Sequence, residues 1–300
     1  PFRGIVPYDN HVYVFRSGRT SFLRLSQIGG TRMRVLNLGL GGVCDYRCIF
    51  CSRGSDHYFE RISFNPRDEY EKAIEQLSLY SKKRNPGSLI ISRDEPINHP
   101  FIKNVISFAR KAGFRKISLN TAGMGLKNRK FLAGLVKAGV TSVMLPVYGV
   151  TPAVHDGIVG LPGAHGVLSR VIDTLRHMKV KTRFTTVILR QNLNEIEALV
   201  KRYDCAVFFP YPISSSISYE HLCVRLSEIP EGIRRSLELN IPCITGKAKR
   251  EKMNGMINIH TVPMNLPYNG HTTPPYKPKK CLRCGMYKEC EGISREYAAL

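Results

Sequence analysis

No stretch of the 300-residue chain approaches the run of about eighteen apolar residues that a membrane-spanning helix needs. The opening residues, PFRGIVPYDN, lack the apolar core of a secretory signal, so a soluble, cytoplasmic protein is expected. Acidic residues are scarce: 23 Asp and Glu stand against 45 Lys and Arg, a formal net charge of +22. That imbalance points to a polyanionic or acidic partner without naming it. The densest basic runs, KAKREK (247–252) and KPKK (277–280), have no interleaved aromatics of the kind that stack nucleobases. Solvated surface and a binding role are equal readings of both. A disulfide scaffold is unnecessary, because a chain of this length buries a large core, or a core and a small appendage. In a reducing compartment the nine cysteines stay free, and those in tight clusters bind metal or carry redox chemistry. Cys205 and Cys223 stand alone and read as buried structural thiols.

What is present is a strand-then-helix rhythm. Short apolar strands are expected at MRVLNLGL (33–40), SLIIS (88–92), KISLN (116–120), SVMLPV (142–147), RFTTVIL (183–189) and CAVFFP (205–210). Between them lie helical patterns. Asn65 and Pro66 start one carrying Tyr70, Ala73, Ile74 and Leu77, and a second runs from about Pro100 to Gly113. Others carry Leu132, Leu135 and Val136, then Leu168, Val171, Ile172 and Leu175, then Leu193, Ile196 and Val200. This predicts an α/β fold, a parallel sheet curled by right-handed crossovers into a full or partial barrel, with chemistry at the C-terminal ends of the strands. The rhythm fails near Pro230. At the other end, VYVFRSGRTSFLRL (12–25) reads as a β-hairpin about Ser17 and Gly18.

The loop leaving the first barrel strand reads GGVCDYRCIFCSR, with Cys44, Cys48 and Cys51 inside eight positions. Three thiolates are one short of a closed zinc site, whereas a four-iron, four-sulfur cluster held by three leaves an open iron. The spacing Cys44-x3-Cys48-x2-Cys51 resembles the signature of the radical S-adenosylmethionine superfamily. The resemblance implies a 4Fe-4S cluster whose open iron is chelated by S-adenosylmethionine, reductive cleavage to a 5′-deoxyadenosyl radical, and hydrogen abstraction from a substrate. It implies too that Phe50 packs near the adenine.

Three further segments carry the resemblance. SRDEPINHP (92–100) is similar to the family's Gly-Gly-Glu-Pro run: Glu95 and Pro96 are retained, Arg93 and Asp94 replace the glycines, and Asp94 and Glu95 would receive the methionine amino group. In LNTAG (119–123), Asn120 would reach the cofactor's ribose or carboxylate. VMLPVYGVTPAVHD (143–156) departs further, with Pro146 and Tyr148 where serine and aspartate are usual, although His155 and Asp156 match; Tyr148 is not read as a catalyst.

The C-terminal block holds Cys281-x2-Cys284-x5-Cys290, with Cys243 upstream and His260 between. A zinc ribbon is one reading. The block also looks like the SPASM or twitch extension that binds auxiliary iron-sulfur clusters, although Ser294 replaces an expected cysteine. The resemblance implies one auxiliary iron-sulfur cluster, a 4Fe-4S cluster, with Cys243, Cys281, Cys284 and Cys290 as its ligands and His260 as a substitute for one of them.

The expected domains are an N-terminal extension (1–32), a partial (β/α)6 barrel (33–230) and an auxiliary-cluster domain (231–300). Members with such auxiliary domains imply a peptide or protein side chain as substrate, with a flavodoxin- or ferredoxin-type electron donor. The charge favours a second reading, the same chemistry on RNA or a nucleotide-derived metabolite. A third is a non-enzymatic zinc protein that binds nucleic acid, which leaves the missing fourth ligand of the first cysteine group unexplained.

Overall fold

The computed structural model of the chain describes residues 12–14, 26–28, 31–33, 35–51, 65–81, 87–208, 219–231 and 233. The strands are β1 (Val12–Val14), β2 (Ser26–Ile28), β3 (Thr31–Met33), β4 (Val35–Gly39), β5 (Ser88–Ser92), β6 (Lys116–Asn120), β7 (Ser142–Pro146), β8 (Lys181–Val187) and β9 (Ala206–Phe208). The helices are α1 (Pro66–Ser81), α2 (Ile102–Lys111), α3 (Arg129–Ala138), α4 (Pro152–Val159), α5 (Ala164–His177), α6 (Ile196–Tyr203) and α7 (Tyr219–Leu222). The chain divides into two compact units. No described helix is long and apolar enough to cross a membrane.

Unit 1 comprises residues 1–46, 59–146 and 161–183. Its sheet runs in the order β1-β4-β5-β6-β7, with β1 antiparallel to β4 and the other neighbours parallel. Alternation along the strands sends one set of side chains into a dry layer. Leu38, Ile91, Leu119 and Val143 lie in one register row across the sheet, and all are buried. That layer is completed by the apolar stripes of the helices: Leu77 on α1, Val105 and Ile106 on α2, Leu132 and Leu135 on α3, and Leu168, Val171 and Leu175 on α5. The opposite side is smaller and more polar. Asn37, Ile90, Ser118 and Ser142 share the neighbouring row and are half-buried. Asn65 begins α1 as expected, its Oδ1 accepting the Arg67 and Asp68 N–H groups.

Unit 2 comprises residues 47–58, 147–160 and 184–300. It holds α4, the end of β8 and its parallel partner β9, and the helices that follow.

The six expected strands all form, β5 and β6 with the bounds read from the sequence. Three details differ. Met33 belongs to β3, where it pairs with Ser26, so the first parallel strand starts at Val35. β8 is displaced toward polar Lys181, because Leu189 N–H turns to the Asn192 side chain and ends the ladder, although Ile188 and Leu189 are buried. The helix α4 was not expected; its signal is Thr151-Pro152, an N-cap followed by proline at the first helical position, with Val154 N–H bonded to Thr151 Oγ1. The hairpin expected about Ser17 and Gly18 lies outside the described residues, as does nearly all of 231–300. What is described at the N-terminal end is β1 against β4 and the β2-β3 pair.

Candidate functional site

In unit 1 the polar groups gather where β4, β5 and β6 end. Leu40 N–H still donates to Ser92 O, and then the backbone leaves the ladder. Gly41 N–H donates to Glu69 Oε2 at 2.9 Å, from the first turn of α1. Gly42 is pressed against the next strand's loop: a Cβ there would collide with the carbonyl oxygen of Glu95 and stand 2.9 Å from His99 N. Asn98 Nδ2 donates to Val43 O at 2.8 Å and to Asp45 Oδ2 at 3.2 Å, and Tyr46 Oη donates to Ala122 O at 3.3 Å. The stretch that carries Cys44 is thus fastened on both sides, and Cys44 itself is half-buried.

After β5 the backbone takes an uncommon path. Arg93 and Asp94 have φ of 87° and 49°, the left-handed region that normally belongs to glycine. The chain therefore keeps a glycine-like conformation at the two positions where the Gly-Gly-Glu-Pro pattern has glycines. The strain costs on the order of 1–3 kcal/mol per residue, and a partly buried ionic cluster surrounds it. The Arg93 guanidinium pairs with Glu69 Oε1, and its Nε lies 3.2 Å from Asp94 Oδ2. His99 Nε2 stands 3.9 Å from Glu69 Oε2. Burial holds the His99 pKa below its usual value, and its Nδ1 accepts Phe101 N–H.

Glu95 is fully buried, and both carboxylate oxygens are engaged by this chain. Oε1 accepts the Thr121 hydroxyl, and Oε2 accepts Ala122 N–H at 2.7 Å. Burial raises its pKa to about 7 against the opposing pull of these hydrogen bonds. Asn120, the last residue of β6, presents a buried Oδ1 that has no hydrogen-bond partner among the described residues.

In unit 2 the stretch with Cys48 and Cys51 sits on the end of α4. Arg47 N–H donates to Val159 O at 2.8 Å and Ile49 N–H to Ile158 O at 3.0 Å, using carbonyls that the helix leaves free at its C-terminus. Cys51 N–H closes a turn onto Cys48 O at 2.9 Å, and both thiols are half-buried. Phe50, between them, meets the ring of Tyr148 edge-on at 5.2 Å, and Tyr148 stacks on His155 at 5.9 Å. Tyr148 is held at both backbone ends: its N–H donates to His155 Nδ1, and its C=O accepts from buried Asn192 Nδ2 at 3.0 Å. Glu195 accepts Val150 N–H, Thr151 N–H and the Thr151 hydroxyl.

Of the expected residues, Asp94 and Glu95 lie in the loop after β5 and Asn120 ends β6, all in unit 1, while Phe50 lies in the loop stretch of unit 2. Among the described residues no three His, Cys, Asp or Glu side chains gather closely enough to hold a metal ion. Cys243, His260, Cys281, Cys284 and Cys290 lie outside the described residues. Cys205 and Cys223 are buried as expected, and burial pushes the Cys205 thiol up to about 11. Sequence reasoning missed Glu69, Thr121, Asn192 and Glu195. Glu69 looks like an ordinary first-turn acid, and the others bond to groups 26 to 45 residues away.

Comparison with known proteins adds a family. A profile described as the Radical SAM superfamily matches residues 39–203, just over half of the chain. A "Probable GTP 3',8-cyclase" of Thermococcus kodakarensis is 22% identical over 172 residues, 57% of this chain and 53% of that protein. The human "Molybdenum cofactor biosynthesis protein 1" is 25% identical over 195 residues, 61% of this chain and 29% of that protein. The chain thus spans about half the length of the first relative and less of the second. Among solved structures, "Native anSMEcpe with bound AdoMet" is similar at a TM-score of 0.51 and 16% identity, covering 65% of this chain and 57% of that one. At that identity the likeness is one of fold.

Proposed function

This chain belongs to the Radical SAM superfamily, and from that premise we propose that it takes hydrogen from a small, polar, nucleotide-derived substrate after reductive cleavage of S-adenosylmethionine. The observation that carries the chemistry is Cys44-x3-Cys48-x2-Cys51, within the matched region, on the loop leaving the C-terminal end of β4.

The superfamily implies a 4Fe-4S cluster and S-adenosylmethionine, and the donor chemistry of the residues fits both, although among the described residues the three thiols do not gather closely enough to hold a metal ion. The three cysteines stand at the family's spacing and are half-buried, and among the described residues Asn120 Oδ1 is a buried acceptor with no hydrogen-bond partner at a strand end. When bound, these groups supply one-electron cleavage of a sulfonium bond and the hydrogen-abstracting radical that follows. Cys44, Cys48 and Cys51 would hold three irons. Asp94 would accept from the methionine amino group and Asn120 Oδ1 from a ribose hydroxyl. Phe50, its ring fixed by Tyr148, would pack by the adenine. Glu95, with both oxygens engaged, serves by bracing the end of β5 against the end of β6. The parallel strands and crossover helices support the reading of a partial (β/α)6 barrel.

The substrate class rests on three supports. The relatives' printed names speak of GTP and of molybdenum cofactor biosynthesis. The +22 charge favours phosphate, and the half-buried sheet row contains Asn37, Ser118 and Ser142 rather than bulky apolar side chains alone. A second reading, a peptide or protein side chain, is favoured by the C-terminal cysteine spacing, which would hold one auxiliary iron-sulfur cluster through Cys243, Cys281, Cys284 and Cys290. On either reading the cluster needs an electron donor, and a flavodoxin- or ferredoxin-type protein suits the basic surface. Anaerobic turnover with deuterated nucleotides and deuterated peptides tests the choice: label passing into 5′-deoxyadenosine from a nucleotide supports the first, and label passing only from a peptide overturns it.

A further inference from the structure

A side chain that belongs to neither β4 nor β5 reaches the ends of both, in addition to the backbone bond of Leu40 N–H to Ser92 O. Glu69, on the first turn of α1, is 4% exposed; its Oε2 accepts Gly41 N–H at 2.9 Å, and its Oε1 pairs with the Arg93 guanidinium. Arg93 in turn reaches Asp94 Oδ2 through Nε at 3.2 Å. The guanidinium lies so close over Gly41 that a Cβ there would collide with Nη2 and stand 3.1 Å from Asp94 Oδ2. Arg93 and Asp94 hold positive φ, a conformation that non-glycine residues keep only where their surroundings over-determine it. Among the described residues, this ion pair and the Gly41 hydrogen bond are contacts that hold them there.

We propose that Glu69 is the positioning residue of the S-adenosylmethionine site: through Arg93 and Gly41 it sets the cysteine-bearing loop and the Arg93–Asp94 backbone in one fixed register. This rests on the functional reading above. It explains how a chain without the usual glycines at 93 and 94 still offers the cofactor a glycine-like backbone: the arginine side chain is drawn toward Gly41 and α1 by Glu69. Glutamate is suited to the task because one carboxylate oxygen serves the backbone amide while the other serves the guanidinium. Glutamine at this position can still accept from Gly41, but it cannot pair as an anion with Arg93.

The test uses the full-length, anaerobically reconstituted protein and its Glu69→Gln and Arg93→Lys variants. Hydrogen exchange on the cofactor-free proteins should speed up in peptides covering both 40–46 and 92–99 in Glu69→Gln, while α3 stays protected. The dissociation constant for S-adenosylmethionine should rise about tenfold, the scale of losing a buried charge-assisted hydrogen bond, with maximal turnover changed far less. Arg93→Lys, which keeps the charge and loses the two-way fork, should fall between wild type and Glu69→Gln. A purely structural role would lower melting temperature and iron content and leave the affinity of the folded, iron-loaded fraction unchanged; that result overturns the proposal. Glu69→Gln protein that fails to fold moves the decision to Arg93→Lys, where unchanged affinity also overturns it. Wild-type protein that binds no S-adenosylmethionine defeats the functional reading itself, an outcome distinct from wild-type binding that the variants share.

Discussion

Glu95 Oε2 accepts the backbone N–H of Ala122 at 2.7 Å, so a fully buried carboxylate at the end of β5 holds the loop that follows β6. The burial that makes this brace rigid also raises the Glu95 pKa from 4.5 to about 7. Between those values the folded protein holds more protons than the unfolded chain, so stability should fall as pH rises through the window and level off above about 7. The total loss is on the order of 3 kcal/mol. Denaturant melts of the cofactor-free protein at pH 5 and pH 8 measure it. Glu95→Gln should flatten the difference, and an unchanged slope would place its source elsewhere.

Two glycines make opposite predictions. Gly42→Ala drives a methyl into backbone atoms of Glu95 and His99, which cannot rotate away, and should cost about 2 kcal/mol or more. Gly157→Ala, inside α4 with nothing within 4 Å of its Cβ position, should add about 0.5–1 kcal/mol. Melting both variants beside wild type checks the pair.

Asn192→Ala should destabilise strongly, because one fully buried amide serves Tyr148 O, Val187 O and Leu189 N–H. Each buried group left unpaired costs about 1–3 kcal/mol. A loss well under 1 kcal/mol in urea unfolding would mean that water or a shifted side chain replaces the amide.

The strands were readable from sequence because each is a short apolar run closed by a helix signal, and SLIIS and KISLN become β5 and β6 with the same ends. The helix α4 is hidden: VTPAVHD reads as a motif segment, and its helix signal is confined to the Thr151-Pro152 start. The positions of Asp94, Glu95 and Asn120 at strand ends were legible from their order along the chain. What held them was not. The bond of Glu69 to Gly41 spans 28 residues and that of Asn192 to Tyr148 spans 44, and nothing local in either sequence marks the partner. The left-handed backbone at Arg93 and Asp94 was equally invisible, since neither residue type prefers it as glycine does.

The most direct measurement is 5′-deoxyadenosine released by anaerobically reconstituted protein given a strong reductant and S-adenosylmethionine, for wild type and for the alanine variants of Cys44, Cys48 and Cys51. The account predicts product from the wild type and its loss, with loss of about four irons, in each variant. Product undiminished in any of the three, or none from iron-loaded wild type, contradicts it.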